Sequence, residues 1–353
     1  MFRIQPEQSH NYRAKGTAVL FLLTALLLFC ICLSFCIGRY PVPVKELFGI
    51  LCHKFSGLFG GFSEPFWTPQ MEAAVWNIRL PRILTSVMVG MCLSAAGAAF
   101  QGIFRNPMAA PDVLGASAGA GFGAALAILF GFSKIFVTLS AFTVSLLTVF
   151  LVLLISRYAK GERLLGLILA GIIVSSLFQA GTSFIKLAAD PNNKLPMITY
   201  WLMGSFSGAN WSGLLLILPL MLLGLLPLNL LRWRINVLTM GDDEALAMGV
   251  DAKKVRLAVI LSATLITAAS VSVSGMIGWV GLVIPHMMRR IAGNDYRILM
   301  PASMLGGGIF LLVTDNISRN ISSSGIPIGI LTAFIGAPFF LLLITGKGGS
   351  HED

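Results

Sequence analysis

The side chains best suited to chemistry are few in this chain, and they do not form a reactive or metal-binding set. Its four histidines contain no HExxH motif and no pair at helical spacing, and its five cysteines contain no CxxC motif. The GxxxxGK[ST] loop that cradles nucleotide phosphates is also missing, so the chain is not expected to hydrolyse ATP. The sequence therefore predicts no catalytic residue, no metal and no cofactor bound by this chain.

The composition is that of a membrane protein. Hydrophobic residues make up 56% of the 353 residues and charged residues only 11%, whereas soluble domains carry about 25% charged residues. With a mean hydropathy of +0.85, the chain has too few polar residues to cover a surface in water. These values exclude a disordered, fibrous, disulfide-rich secreted or ordinary cytosolic protein. They predict an all-α, polytopic membrane protein.

Apolar runs of roughly 20 residues, the length that crosses a bilayer, define the predicted helices. One of them, near 276–291, is short and interrupted by Pro285. The ten predicted spans are 17–37, 80–101, 113–131, 135–156, 164–187, 212–231, 256–275, 276–291, 301–318 and 326–345.

The distribution of basic residues predicts the orientation in the cell membrane. If the N-terminus is cytoplasmic, most of the 25 lysines and arginines fall in inner segments, as the positive-inside rule requires. We therefore expect a cytoplasmic segment 1–16, a transmembrane domain 17–345 and a cytoplasmic tail 346–353. Membrane orientation explains the net charge of +10, so no nucleic-acid partner is expected.

Two connections between spans are long enough to have functions of their own. The external loop 38–79 contains four prolines and two tryptophans, which predicts turns and a short helix lying on lipid headgroups. The internal loop 232–256 contains three successive acids, Asp242, Asp243 and Glu244, and then Gly249. Acids at the first turn and glycine at the end predict a short capped helix.

Polar and small residues at membrane depth are the candidates for a translocation path or gate. Polar groups are costly in hydrocarbon unless they face protein or water, proline breaks helices, and glycine lets helices approach closely. Tight packing is the favoured explanation of the small residues, and an interhelical hydrogen bond explains any one of the polar residues as well as a path does. The candidates are Gln101, Asn106, Pro107, Gly115, Gly119, Pro285 and His286. Other polar residues at this depth are Asp112, Gln179, Asp315 and Asn316.

Six segments in consistent order resemble the FecCD family, the membrane permeases of ABC importers for iron-siderophore, haem and cobalamin. The resemblance covers the chain from the first span to about residue 345. One departure is Gly325, where the family usually has glutamate, which leaves open any outer contact that this acid would make. The six segments are 79–82, 97–115, 201–205, 241–249, 275–290 and 327–338.

The resemblance implies a type II ABC importer permease with ten transmembrane helices in each subunit. The implied partners are a second permease subunit, identical or a close paralogue, two cytoplasmic ATPases that bind ATP and Mg, and an extracytoplasmic binding protein. Arg79, Arg82 and Arg319 are expected to pair with glutamates of the binding protein. Ala245 and Leu246 are expected to enter a groove of the ATPase. The expected coupling residues are Gly241, Asp242, Asp243, Glu244, Ala245, Leu246 and Gly249.

Two other classes of function fit the sequence less well than an importer permease. An ion-coupled secondary transporter should place ionisable residues along its path, but Asp112 and Asp315 stand near the ends of predicted spans. An intramembrane enzyme would need a partner for His286, and the next acid is Asp295. The cargo stays open, because siderophore, haem and cobalamin permeases share these motifs.

Overall fold

The computed structural model describes residues 6–38, 40–57, 66–158, 163–321 and 325–345, and these ranges contain helices and no strand. The predicted tail 346–353, the first five residues and part of the loop 38–79 lie outside them. The α-helices are α1 Pro6–Cys36, α2 Val44–Gly57, α3 Pro69–Glu72, α4 Leu80–Ile103, α5 Ala116–Leu129, α6 Lys134–Ser156, α7 Arg163–Ala188, α8 Lys194–Leu202, α9 Trp211–Leu230, α10 Arg232–Leu238, α11 Asp242–Ala247, α12 Ala252–Ser274, α13 Val280–Ala292, α14 Tyr296–Ile321 and α15 Ile328–Thr345.

Each of the ten predicted spans coincides with one of these helices. A π-helical stretch, Ala73–Arg79, joins α3 and α4 into one rod. Within the described ranges, seven helices are long and apolar enough to cross a membrane, and α5 and α15 are shorter apolar helices. The seven are α1, the α3–α4 rod, α6, α7, α9, α12 and α14.

The helices α5 and α13 are shorter than predicted because the chain ahead of each of them is not α-helical. A 3-10 turn, Pro111–Leu114, precedes α5, and an unwound stretch with Trp279 in the left-handed region (φ +70°) precedes α13. A Cβ added to Gly281 would lie 2.2 Å from Cγ of Pro111. The turn ahead of α5 therefore touches the first turn of α13, and both helices begin beside each other inside the bundle.

The helix at the centre of the bundle is α4. Of the most apolar 18 residues of the α3–α4 rod, 83% are buried, compared with 22% for α1 and α7. Glycines bring its neighbours into backbone contact. A Cβ added to Gly90 would lie 2.2 Å from the Gly307 carbonyl oxygen on α14, and one added to Gly97 would lie 1.8 Å from that of Gly281 on α13.

Replacing Gly97 with alanine should destabilise the bundle by about 1–3 kcal/mol, because the new methyl group must displace backbone rather than a flexible side chain. The matched control is Gly278→Ala, since nothing lies within 4 Å of a Cβ at that position. Thermal unfolding of the detergent-purified protein measures the difference. Equal midpoints for the two variants would contradict the contact between α4 and α13.

Candidate functional site

The helix α11 is the short capped helix that the acidic segment predicts. It comprises six residues, begins with Asp242, Asp243 and Glu244, and is followed by Gly249 in the left-handed region (φ +74°). Arg256 on α12 donates from Nη2 to Oδ1 of Asp242 at 2.9 Å. That hydrogen bond lowers the pKa of Asp242, and the charge of Arg105 lowers it further. The ion pair therefore ties α11 to the start of α12.

The structure corrects the expectation for Ala245. Its side chain is fully buried within its own chain, so it cannot enter the groove of a partner. Neighbouring residues on a helix point about 100° apart, which is why Leu246 faces outward and is 73% exposed. Met240 and Met248 are also exposed, at 63% and 50%. This end of the molecule thus presents an apolar surface whose members are Met240, Leu246 and Met248.

Asn106 and Pro107 lie outside the helical core, in the exposed turn that follows α4. The Asn106 side chain accepts a hydrogen bond from the Met108 backbone amide at 2.8 Å. Arg105, in the same turn, adopts a positive φ of +49° and lies close enough to influence Asp242. The turn therefore belongs to the same end of the bundle as α11.

Gln101 joins α4 to α13 at this end of the bundle. It is 3% exposed, and its Nε2 donates to the carbonyls of Gly281 and Leu282 at 3.4 Å. Its Oε1 accepts a hydrogen bond from Nη1 of Arg289 on α13. Arg289 also donates to the Tyr296 hydroxyl at 3.1 Å. Gln101 is therefore part of a hydrogen-bond network between helices.

The same network reaches the segment that carries α11. The backbone amide of Tyr296, at the start of α14, donates to Oδ1 of Asn236 on α10 at 3.3 Å. Sequence reasoning missed Asn236, Arg289 and Tyr296, because each looks like an ordinary polar residue near a helix end. Tyr296 and Asn236 lie 60 residues apart in the sequence, and Arg289 and Gln101 lie 188 apart, so only the fold brings these two pairs together.

The other predicted path residues do not line one common channel within the described part of the chain. A Cβ on Gly115 would lie 2.4 Å from Oγ of Ser175, and one on Gly119 would lie 1.9 Å from Oγ1 of Thr148. These glycines therefore pack against α7 and α6. Pro285 is buried inside α13, and His286 is partly buried beside it. A role for these residues in the path stays a prediction.

Arg79, Arg82 and Arg319 converge at the opposite end of α4. They line a cavity of about 350 Å³ together with hydroxyl and amide side chains. Arg79 is only 5% exposed, and its guanidinium donates to the carbonyls of Phe35 and Tyr40. These bonds hold the connection between α1 and α2 against the start of α4. We refer to the three arginines as the arginine cluster.

Asp315 is the acid at the centre of the arginine cluster, and it is fully buried. Arg82 donates to its two oxygens from Nε at 3.1 and 3.0 Å and from Nη2 at 2.7 Å. Arg319 Nε lies 3.7 Å from Oδ2, and its Nη2 donates to Oγ of Ser34 at 2.6 Å. Asp315 and Arg319 are four residues apart on one helix, and this spacing indicates that their side chains are neighbours. No sequence feature indicated the partner on α4.

A larger cavity, of about 820 Å³, lies between the start of α6, α8 and the end of α12. Lys134 and Lys194 stand at its wall, and each donates to a backbone carbonyl, that of Gly208 and that of Leu129 respectively. Ser205 and Ser207 line both this cavity and the arginine cavity. The two cavities therefore open at the same end of the bundle.

The chain matches the model of the FecCD transport family over residues 26–346. It belongs to that family. It is 41% identical over 337 residues to the molybdate import system permease protein MolB of Haemophilus influenzae, with 95% of this chain and 98% of that protein covered. It is 39% identical over 319 residues to the cobalamin import system permease protein BtuC of Halobacterium salinarum, with 87% and 86% covered.

A solved structure supports the FecCD assignment at the level of the fold. It is described as an inward-facing conformation of a metal-chelate type ABC transporter. It matches with a TM-score of 0.81 at 40% identity, covering 93% of this chain and 99% of that one. The protein is therefore a multi-pass membrane permease subunit of an ABC importer, with the type II architecture. This assignment favours the importer over the ion-coupled secondary transporter.

Replacing Arg79 with alanine should lower the stability of this FecCD permease by about 2–3 kcal/mol, because two backbone carbonyls lose a charged donor in a buried place. The thermal unfolding midpoint of the purified protein and its abundance in membranes measure the effect. Arg157→Ala, at an exposed arginine after α6, is the control and should leave both unchanged. An Arg79→Ala protein as stable as this control would show that Arg79 is not a structural clamp.

Proposed function

We propose that this chain is one half of a permease dimer that carries a metal-containing cargo from an extracytoplasmic binding protein into the cytoplasm. Two cytoplasmic ATPases, which bind ATP and Mg, would drive the transport. In this proposal both termini are cytoplasmic, so α11 lies at the inner face and the arginine cluster at the outer face. The positive-inside pattern of the sequence supports this orientation.

The observation that carries the proposal is the apolar surface formed by Met240, Leu246 and Met248 in and beside α11. Leu246 is 73% exposed at a point outside the apolar spans, where its own chain leaves it uncovered. The buried methyl group of Ala245 and the ion pair between Asp242 and Arg256 fix α11 on the body of the protein. A short rigid helix with an exposed leucine suits docking into a groove of the ATPase.

A second copy or a close paralogue is proposed to pack against the least covered apolar helices. Large side chains on α7 and α15 are strongly exposed, among them Leu177 at 71%, Phe184 at 70% and Phe334 at 74%. Lipid covers part of such a surface. Dimerisation would give the translocation path a second wall, since the predicted path residues of one subunit do not enclose a channel among the described residues.

The cargo is proposed to contain a metal, as a siderophore or other iron chelate, haem, cobalamin or a metal oxyanion. Relatives named for molybdate and for cobalamin are similar to this chain to almost the same degree, so identity alone does not separate these cargoes. Elemental analysis and mass spectrometry of the purified binding protein should find a bound metal species. That species should enter proteoliposomes containing the complete importer. A metal-free ligand that is imported would contradict the proposed cargo class.

Replacing Leu246 with arginine should uncouple ATP hydrolysis from transport, because a charged side chain cannot enter an apolar groove without a large cost. Transport by reconstituted importer should fall at least tenfold, while the permease still inserts and purifies with its partner permease. Leu246→Met, which preserves apolar contact, is the control and should transport normally. Full transport by Leu246→Arg would exclude α11 as the ATPase contact.

A further inference from the structure

We propose that Asp315 is a positioning residue for docking: it holds Arg82 and Arg319 in the orientation that receives a carboxylate of the binding protein. This inference rests on the proposed function, in which the arginine cluster faces outward. It assigns a specific task to an acid that, by its charge alone, would oppose the docking of an acidic surface. The assignment depends on where Asp315 lies and on which atoms it engages.

Asp315 lies behind the cavity, and the arginines lie at its wall. Arg79, Arg82 and Arg319 line the cavity of about 350 Å³, whereas Asp315 is not among its lining residues and is fully buried. Within the described part of the chain, Arg82 donates only from Nε and Nη2, both to Asp315. Its Nη1 donors therefore keep their capacity for another acceptor.

The charge of the cavity selects an anionic group. The three guanidiniums at the wall and the Asp315 carboxylate behind it leave a net charge of about +2, and the other residues that line the cavity are neutral. Gly325 stands at the wall where the family usually has glutamate, so that acid is absent here. The hydroxyl of Ser207 adds a donor that also suits an oxyanion, whereas those of Ser205 and Ser318 already donate to Ser207 Oγ and to the Ile326 carbonyl. A carboxylate side chain at the surface of a docking protein matches this combination.

Asp315 has two opposite effects on such a carboxylate. Its negative charge weakens the attraction, but its hydrogen bonds remove rotamer freedom from Arg82 before docking. The repulsion between Asp315 and an incoming carboxylate is already weakened, because both Asp315 oxygens are paired with Arg82 at 2.7 to 3.1 Å. Loss of the pair would let the guanidiniums move apart under their mutual repulsion. We therefore expect the geometric effect to dominate.

The test is Asp315→Asn, a nearly isosteric change that removes the negative charge. If Asp315 acted only through its charge, the variant would bind an acidic partner more tightly. Positioning predicts the opposite, a loss of affinity on the order of tenfold, seen mainly as faster dissociation. The probe is the extracytoplasmic binding protein whose deletion abolishes import by this permease. Its association and dissociation rates are measured on the nanodisc-reconstituted importer at low salt.

Two variants serve as controls. Asp190→Asn makes the same change in charge at an exposed acid between α7 and α8, at the end of the bundle where Ser205 lies. It should leave affinity unchanged or raise it about twofold, as expected for a rim charge. Ser34→Ala removes the hydroxyl that accepts from Arg319 and leaves every charge in place. It should weaken docking in the same direction as Asp315→Asn, by about threefold.

The outcomes distinguish a positioning role of Asp315 from a purely structural one, and they test the proposed docking face separately. A merely structural Asp315 would yield fewer folded molecules with an unchanged dissociation rate, and that result overturns the inference, as does tighter binding. If Asp315→Asn does not reach the membrane, Ser34→Ala decides, and unchanged docking by it overturns the inference. A third variant, Arg82→Gln, tests the docking face itself. If Arg82→Gln docks as tightly as the parent, the proposed docking face is wrong.

Discussion

Close backbone contact at α4 is the constraint on which the rest of the structure depends. In lipid, the hydrophobic effect does little to hold helices together, so packing and polar contacts must do so. At Gly90 and Gly97 the carbonyls of α14 and α13 approach so closely that a single added carbon would overlap them. The α4 helix is consequently the most buried span, and its two ends carry the two polar clusters that have candidate functions.

Both clusters obey the same rule, that a polar group buried between helices must find a partner inside the protein. At one end Arg82 finds Asp315, and at the other Gln101 finds Arg289. Each pair joins α4 to a different neighbour, α14 in the first case and α13 in the second. Arg82 and Gln101, which the sequence marks as functional, are thus also residues that tie α4 to its neighbours.

The positions and order of the ten predicted spans could be read from the sequence, because apolar run length depends on local sequence alone. The lengths of α5 and α13 could not be predicted, because the segments ahead of them are not α-helical. Contact between Pro111 and Gly281 supports this arrangement. The capped helix α11 could be predicted, but the predicted orientation of Ala245 toward a partner was wrong. Six residues carry too little periodicity to show which side of a helix is buried. The arginines of the cluster could be predicted from the family resemblance. The ion pair between Arg82 and Asp315 could not, because only the fold brings these two residues together.

The arrangement also bears on how a force applied at α11 would cross the membrane. The α14 helix bonds to α10 and α13 through Tyr296 at one end and to Arg82 of α4 through Asp315 at the other. With glycine contacts between them, α4 and α14 can slide or bend little without breaking bonds at both ends. Movement that opens a path is therefore more easily accommodated by helices with smaller buried surfaces, such as α7, of whose most apolar window only 22% is buried.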